Sequence, residues 1–152
     1  MESDYSAPSD GANIDQIIDG LYLGSMTSAF NKDLLEVLGI KAIVTVADQI
    51  EPLFPESIDY HIIRVLDLPS EDLLSHFPKA YDFIHKYISK DQNVLVHCAN
   101  GISRSPTVLA SYLMKNGKLT AKDALSQVQS CRRVNPNRGF LEQLEKYEKE
   151  LI

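Results

Sequence analysis

Short apolar runs alternate with helical patterns along the middle of the chain and predict a sheet flanked by helices. The runs Ile14–Ile18 and 21–23 flank Asp19-Gly20, a dipeptide typical of a β-hairpin turn. Buried strands are also predicted at residues 41–46, 60–66 and 93–96. Because strands that alternate with helices form mostly parallel sheets, we expect a single α/β domain with a central, mostly parallel sheet.

Apolar residues at three- and four-residue spacing predict the helices that cover this sheet. One helix is predicted to be capped by Thr27 or Ser28 and to end at Gly39. Thr120 and Asp123 have the spacing of a capping box at the start of another helix. Two further helices are predicted from the inward-facing positions Phe77, Tyr81, Ile84 and Ile88, and Phe140, Leu144, Tyr147 and Leu151.

One segment between a predicted strand and a predicted helix places an arginine six residues after a cysteine. Residues 97–106 read His-Cys-Ala-Asn-Gly-Ile-Ser-Arg-Ser-Pro. The N–H groups of such a loop and the N-terminus of the following helix can surround a tetrahedral oxyanion. Gly101 tolerates the backbone angles of a tight loop, and Arg104 can present two donors to phosphate oxygens. Because the same surroundings stabilise a thiolate, Cys98 is the candidate nucleophile for attack on phosphorus.

Length and charge restrict the class of protein further. The chain has 152 residues, a formal net charge of −6 and 44% hydrophobic residues, which suits one compact domain. An acidic balance argues against a general partner of nucleic acid or of anionic membranes. With two cysteines and no secretory or membrane-spanning apolar segment in this sequence, we expect no disulfide framework and a cytoplasmic or nuclear location.

The segment resembles the signature loop of the cysteine-based protein phosphatases, His-Cys-x-x-Gly-x-x-Arg-Ser/Thr. Residues 103–106, Ser-Arg-Ser-Pro, and residues 112–114, Tyr-Leu-Met, are most similar to the dual-specificity branch. The resemblance covers residues 14–152, and it implies a protein-tyrosine-phosphatase-like fold, a stand-alone catalytic domain, and chemistry without metal or cofactor. Residues 1–13, rich in Ser, Asp, Gly and Pro, are expected to form a flexible N-terminal segment.

The resemblance also assigns roles within the loop. It implies that the phosphate is held by Ala99, Asn100, Gly101, Ile102, Ser103 and Arg104. Ser105 is similar to the family's Ser or Thr, whose hydroxyl stabilises the Cys98 thiolate as it leaves the phosphocysteine intermediate. His97 should support the loop rather than react, because its side chain on the strand points away from the phosphate.

A second group must protonate the leaving oxygen, so a general acid should lie opposite the loop. Asp67 follows a predicted strand, at the sheet edge where open α/β folds bind ligands. The resemblance indicates the same residue, because dual-specificity enzymes carry their acid aspartate about thirty residues before the cysteine. The alternative for Asp67 is a solvated loop carboxylate. Asp72 lacks this support and is expected to cap the next helix.

An arginine-containing turn near the C-terminus resembles the Pro-Asn-x-Gly-Phe segment that lies near the active-site rim in this family. Arg132, Arg133 and Arg138 could attract a phosphorylated substrate. We favour the alternative, a solvated turn in which Asn137 has a supporting structural role.

Cys131 and the histidines are weaker candidates for chemistry. Cys131 could pair reversibly with Cys98 under oxidation, but its place on an apolar helical stripe favours a core thiol. The four histidines lack the spacing of metal ligands.

These observations favour a metal-independent phosphatase that acts on phosphotyrosine and phosphoserine or phosphothreonine of proteins. Two alternatives stay open. One is the same chemistry on a non-protein phosphate, namely a phosphoinositide, an RNA 5′ end or a glucan, although the loop interior has no lysine. The other is a phosphate-binding scaffold without turnover. We expect phosphorylated proteins as partners, and neither nucleic acid nor membranes.

Overall fold

The computed structural model describes residues 12–152, whereas residues 1–11, and with them most of the segment expected to be flexible, lie outside the described part. The described residues form five strands and six α-helices. The strands are β1 Ile14–Ile18, β2 Leu21–Gly24, β3 Ile40–Val46, β4 Asp59–Ile63 and β5 Asn93–His97. The helices are α1 Met26–Ala29, α2 Lys32–Val37, α3 Phe77–Ile88, α4 Arg104–Gly117, α5 Ala121–Cys131 and α6 Arg138–Glu150.

The strands form one sheet in the order β1-β2-β5-β3-β4. Only the β1–β2 hairpin is antiparallel, and β5 runs parallel to both of its neighbours at the centre. The mostly parallel sheet is therefore confirmed, and so is the hairpin at Asp19-Gly20, where Gly20 has the positive φ of 82° that this turn requires.

Alternate residues of the central strands pack into two hydrophobic cores, one on each face of the sheet. In β5, Val94 and Val96 belong to the larger core, whereas Leu95 belongs to the smaller one. This alternation follows from the two-residue period of a strand. The larger core includes residues of α3, α4, α5 and α6, and the smaller core includes residues of α1 and α2. Helices on both faces explain why β3 and β5 are almost continuously apolar.

The prediction of one helix from Thr27 or Ser28 to Gly39 is wrong, because the segment forms two helices. Ser25 caps α1 by accepting a hydrogen bond from the Thr27 N–H at 3.2 Å. Asn31 caps α2 in the same way, accepting from the Leu34 N–H at 3.1 Å. Each short polar side chain satisfies an otherwise unpaired N–H and so starts a new helix.

Other predicted boundaries differ at element ends. The strand predicted at 60–66 ends at Ile63. Leu151, predicted to face inward, is the C-cap residue of α6 and is 38% exposed. At the start of α5, the Thr120 cap is confirmed, because its hydroxyl accepts from the Asp123 N–H at 3.0 Å. None of the helices within residues 12–152 is long and apolar enough to cross a membrane.

Candidate active site

The segment 97–105 forms a tight loop between the end of β5 and the first turn of α4. Gly101 adopts a φ of 69°, which side-chain-bearing residues rarely adopt. A Cβ at this position would lie 2.5 Å from the Gly24 carbonyl oxygen. Conformation and space therefore both require glycine here, and the loop packs directly on the end of β2.

The Cys98 thiol lies inside this loop and is 1% exposed. Its Sγ lies 3.1 Å from the Ser105 Oγ, and the Gly101 N–H donates to it at 3.3 Å. When the sulfur is a thiolate, the Ser105 hydroxyl is the donor. The sulfur thus has the Ser105 hydroxyl and the Gly101 N–H within hydrogen-bond reach at the N-terminus of α4.

Hydrogen bonds from neighbouring segments hold the outer side of the loop. The Ala99 carbonyl accepts from the Met26 N–H at 2.9 Å, and the Ile102 carbonyl accepts from the Asn135 N–H at 2.7 Å. Carbonyl groups engaged with the surrounding protein favour a loop whose N–H groups are directed towards a bound oxyanion.

Arg132 contributes to the same outer support rather than to the surface. Its guanidinium donates to the carbonyls of Gly101 and Asn100, both at 2.9 Å. It also pairs with the Asp15 carboxylate at 3.0 Å and bonds the Asn13 side chain. Its side chain is 9% exposed, so the idea that Arg132 attracts substrate is not favoured by its position. The local sequence gives no signal for this role, because the partners are distant along the chain.

Arg104 begins α4, and its half-buried guanidinium donates to the Val65 carbonyl at 3.1 Å. Among the hydrogen bonds within residues 12–152, this one engages a single donor of five. The remaining donors can form the two-pronged contact that a phosphate group accepts. The contact also joins Arg104 to the segment that carries Asp67.

Asp67 lies next to the loop and stands four residues beyond the end of β4. Its Oδ1 accepts from the Ser103 hydroxyl at 2.7 Å and from the Asn137 side-chain amide at 2.8 Å. Asp72 has a different role, because its Oδ1 accepts from the Ser75 N–H at 3.0 Å. Hydrogen bonds from Ser75 lower the pKa of the Asp72 carboxyl.

His97 points away from the loop interior and is 1% exposed. Its Nδ1 lies 3.1 Å from the Cys98 carbonyl, which can only accept, so Nδ1 carries a proton. Its Nε2 then accepts from the Thr45 hydroxyl at 2.9 Å. Burial lowers the pKa of His97 to about 4, and the imidazole is therefore neutral near pH 7. This position agrees with a supporting role.

Asn137 and Arg133 lie just before α6, and Arg138 is the first residue of that helix. Asn137 caps that helix, since its Oδ1 accepts from the Phe140 N–H at 2.9 Å. Arg133 is exposed, and Arg138 is exposed and lies 3.4 Å from the Glu142 carboxylate. Only these two arginines of the turn have side chains in solvent.

Cys131 is half-buried and packs against the larger core, which agrees with the interpretation as a core thiol. Both cysteines are free thiols. Within the described part of the chain, no group of three or more His, Cys, Asp or Glu side chains could hold a metal ion.

Comparison with protein families and curated proteins gives a consistent result. A family model described as "Dual specificity phosphatase, catalytic domain" matches residues 21–150. Dual specificity protein phosphatase 1B of Arabidopsis thaliana is 38% identical over 142 residues, covering 93% of this chain and 85% of that protein. Dual specificity protein phosphatase 1 of the same plant is 40% identical over 141 residues, covering 91% and 71%.

Solved structures show the same similarity. A mouse putative dual specificity phosphatase complexed with zinc tungstate superposes with a TM-score of 0.90 at 30% identity, covering 99% of this chain and 94% of that one. The human tyrosine phosphatase-like serine/threonine/tyrosine-interacting protein superposes with a TM-score of 0.88 at 32% identity, covering 91% and 97%.

Proposed function

The chain belongs to the dual specificity phosphatase family and is a hydrolase, and from this premise we propose that it dephosphorylates proteins through a phosphocysteine intermediate on Cys98. The substrates are phosphotyrosine and phosphoserine or phosphothreonine side chains. The observation that carries the proposal is the position of the Cys98 Sγ, which lies between the Ser105 hydroxyl and the Gly101 N–H at the start of α4. Asp67 lies at the edge of the same loop.

In the first step the Cys98 thiolate attacks phosphorus in line with the leaving oxygen. The sulfur's electron pair forms the S–P bond while the P–O bond to the substrate breaks. The proton on the Asp67 carboxyl passes to the leaving oxygen, so a neutral phenol or alcohol departs and Asp67 becomes a carboxylate. Arg104 and the loop N–H groups hold the other phosphate oxygens and stabilise their charge.

In the second step the Asp67 carboxylate takes a proton from a water molecule whose oxygen attacks phosphorus. A P–O bond forms, the S–P bond breaks, and its electron pair returns to the sulfur. The Ser105 hydroxyl donates to the departing thiolate, which the 3.1 Å separation from the sulfur supports. Inorganic phosphate leaves, and the enzyme is restored with Asp67 protonated.

Several features support a protein substrate. The curated relatives are named dual specificity protein phosphatases. The loop residues between Cys98 and Arg104 include no lysine, and the chain is acidic overall, which makes a polyanionic phosphoinositide a poorer fit. Arg133, just before α6, and Arg138, its first residue, both extend into solvent, and we propose that they contribute to attraction of phosphorylated segments.

Steady-state kinetics of two variants and two matched controls test this function. Wild type should hydrolyse p-nitrophenyl phosphate without added metal and in the presence of a reductant, and Cys98→Ser should show no turnover. Asp67→Asn should hydrolyse a phosphopeptide about 10²–10⁴-fold more slowly than wild type, because the leaving oxygen then departs unprotonated. Cys131→Ser and Asp72→Asn should retain wild-type rates.

Three results would redirect the assignment. A folded wild type that binds phosphopeptides without turnover would indicate a phosphate-binding scaffold. Faster turnover of a phosphoinositide, an RNA 5′ phosphate or a phosphorylated glucan than of any phosphopeptide would indicate a non-protein substrate. Unchanged activity in Cys98→Ser would exclude the phosphocysteine mechanism.

A further inference from the structure

Ser103 stands at a position where serine usually caps a helix, yet its side chain does something else. It is the residue before α4, and its hydroxyl makes no cap hydrogen bond to that helix. The side chain is nearly buried, with the residue 6% exposed, and it donates to the Asp67 Oδ1 at 2.7 Å. Capping does not account for this hydroxyl, whereas its contact with the candidate general acid does.

Asn137 approaches the same carboxylate oxygen from a different element. Its side-chain amide donates to the Asp67 Oδ1 at 2.8 Å, while its own Oδ1 caps α6. The Asn137 backbone N–H donates to the Ser103 hydroxyl oxygen at 2.9 Å. That bond orients the hydroxyl so that its proton points to Asp67. The three residues therefore form a closed set of hydrogen bonds across three segments.

The two donors make the oxygens of the Asp67 carboxyl inequivalent. Oδ1 accepts two hydrogen bonds, whereas no hydrogen bond from residues 12–152 reaches Oδ2. An oxygen that already accepts two donors is a poor site for a further proton, so the proton of the neutral acid resides on Oδ2. The same two contacts prevent rotation of the carboxyl group and keep Oδ2 in a fixed direction.

We propose that Ser103 and Asn137 are positioning residues that fix Oδ2 of Asp67 as the oxygen that delivers the proton to the leaving group. This inference rests on the proposed function, since it concerns the acid of that reaction. Neither side chain needs to touch the transferred phosphate to act in this way. Their contribution should be largest where the leaving group depends most on protonation.

The test compares two substrates whose leaving groups need acid to different degrees. Phenol leaves poorly without a proton, whereas p-nitrophenol leaves well. Ser103→Ala should lower kcat/KM for phenyl phosphate by about tenfold, the loss expected for one hydrogen bond to a charged group. It should lower kcat/KM for p-nitrophenyl phosphate much less. Ser103→Thr, which restores the hydroxyl, should recover the wild-type ratio. The control Ser126→Ala, at an exposed position of α5, should leave both rates unchanged.

Asn137→Ser provides a second, independent test of the same proposal. Serine is as good a helix cap as asparagine, so α6 keeps its cap while Asp67 loses the amide donor. Its Tm should stay near that of wild type, and its phenyl phosphate rate should fall selectively. In an Asp67→Asn background, neither substitution should alter the ratio of the two substrates further.

The outcomes separate this inference from the function on which it rests. If phenyl phosphate hydrolysis depends on Asp67 but both variants keep the wild-type substrate ratio, the positioning role is wrong and the function stands. An equal loss on both substrates also overturns the positioning role, because it indicates damage to the phosphate loop. If Asp67→Asn itself leaves the phenyl phosphate rate unchanged, the proposed acid and this inference fall together.

Discussion

The imidazole of His97 is buried beneath the signature loop, with both nitrogens engaged by neutral groups, the Thr45 hydroxyl and the Cys98 carbonyl. Protonation would place a charge in this site without a compensating partner, and burial accordingly lowers the pKa of His97 to about 4. The loop that holds the proposed nucleophile is thus supported by a histidine whose imidazole is neutral near pH 7.

His97 should make the protein's stability fall as the pH is lowered. The imidazole binds a proton near pH 6.5 in the unfolded chain and only near pH 4 in the folded chain. The contribution of the neutral His97 to stability is therefore fully present above pH 6.5 and is lost as the pH falls from 6.5 to 4. From pH 7.5 to 5.0 the wild type should lose about 2 kcal/mol through this residue. His97→Asn should lose correspondingly less, as measured by urea unfolding at both pH values.

A control separates this effect from acid titration in general. Gln129→Asn, an exposed substitution in α5 that leaves every titratable group in place, should show the same pH-dependent loss as the wild type. Equal losses in His97→Asn and wild type would show that His97 does not account for the acid sensitivity.

Individual site residues were predictable to the extent that they are contiguous. Cys98, Arg104 and Ser105 stand within eight residues of each other in the sequence, and their spacing suffices to indicate an oxyanion loop. The partners of Asp67 were not predictable, because Ser103 and Asn137 belong to other segments and meet it only in the folded chain. Arg132 was misleading for the same reason, since its partner Asp15 lies at the other end of the chain.

At the scale of elements, helix α6 holds the segment that carries Asp67, the proposed general acid. The Gln143 side chain accepts from the N–H groups of Leu73 and Leu74, both at 2.8 Å, and donates to the Glu71 carbonyl at 2.8 Å. Nearer the helix start, the Pro69 backbone packs so closely on Gly139 that a Cβ there would overlap the Pro69 carbonyl. The sequence Asn-x-Gly-Phe, residues 137–140, thus encodes a contact surface for the segment that carries Asp67.

Gly139→Ala should therefore damage catalysis more than its small size suggests. The added methyl group must push away backbone only two residues from Asp67, so the acid-dependent rate on phenyl phosphate should fall by tenfold or more, on the order of 1–3 kcal/mol. Its matched control is Gly117→Ala in the last turn of α4, where the added Cβ meets only a Leu119 side chain at 3.4 Å. That variant should keep full activity and wild-type or slightly higher Tm. Wild-type kinetics in Gly139→Ala would contradict the importance of this contact.

The elements themselves followed from periodicity where periodicity was strong. The hairpin, the central strands and the helix Phe77–Ile88 were predicted because each buries one face or two faces consistently. The division of residues 26–37 into two helices was missed, because the weak capping signals of Ser25 and Asn31 compete with Thr27 and Ser28. The prediction that Leu151 faces inward was wrong because α6 ends one residue earlier, at Glu150.

At the scale of the whole molecule, the signature loop is where distant parts of the chain meet. Arg132 at the end of α5 connects Asp15 of β1 to the loop carbonyls, Met26 of α1 holds Ala99, and Arg104 reaches Val65 after β4. The class of sheet was predictable from the alternation of strands and helices. Its strand order was not, because pairing between strands remote in sequence depends on the packing of all the helices together.

This arrangement predicts that the reaction passes through a covalent intermediate, and Ser105 offers the way to observe it. Ser105→Ala removes the hydroxyl 3.1 Å from the Cys98 sulfur, which should make departure of the thiolate the slow step. Rapid mixing of this variant with p-nitrophenyl phosphate is the most direct measurement. It should give a burst of p-nitrophenol stoichiometric with enzyme, and mass spectrometry of the quenched protein should locate phosphate on Cys98. Turnover without a burst and without phosphate on Cys98 would contradict the phosphocysteine mechanism.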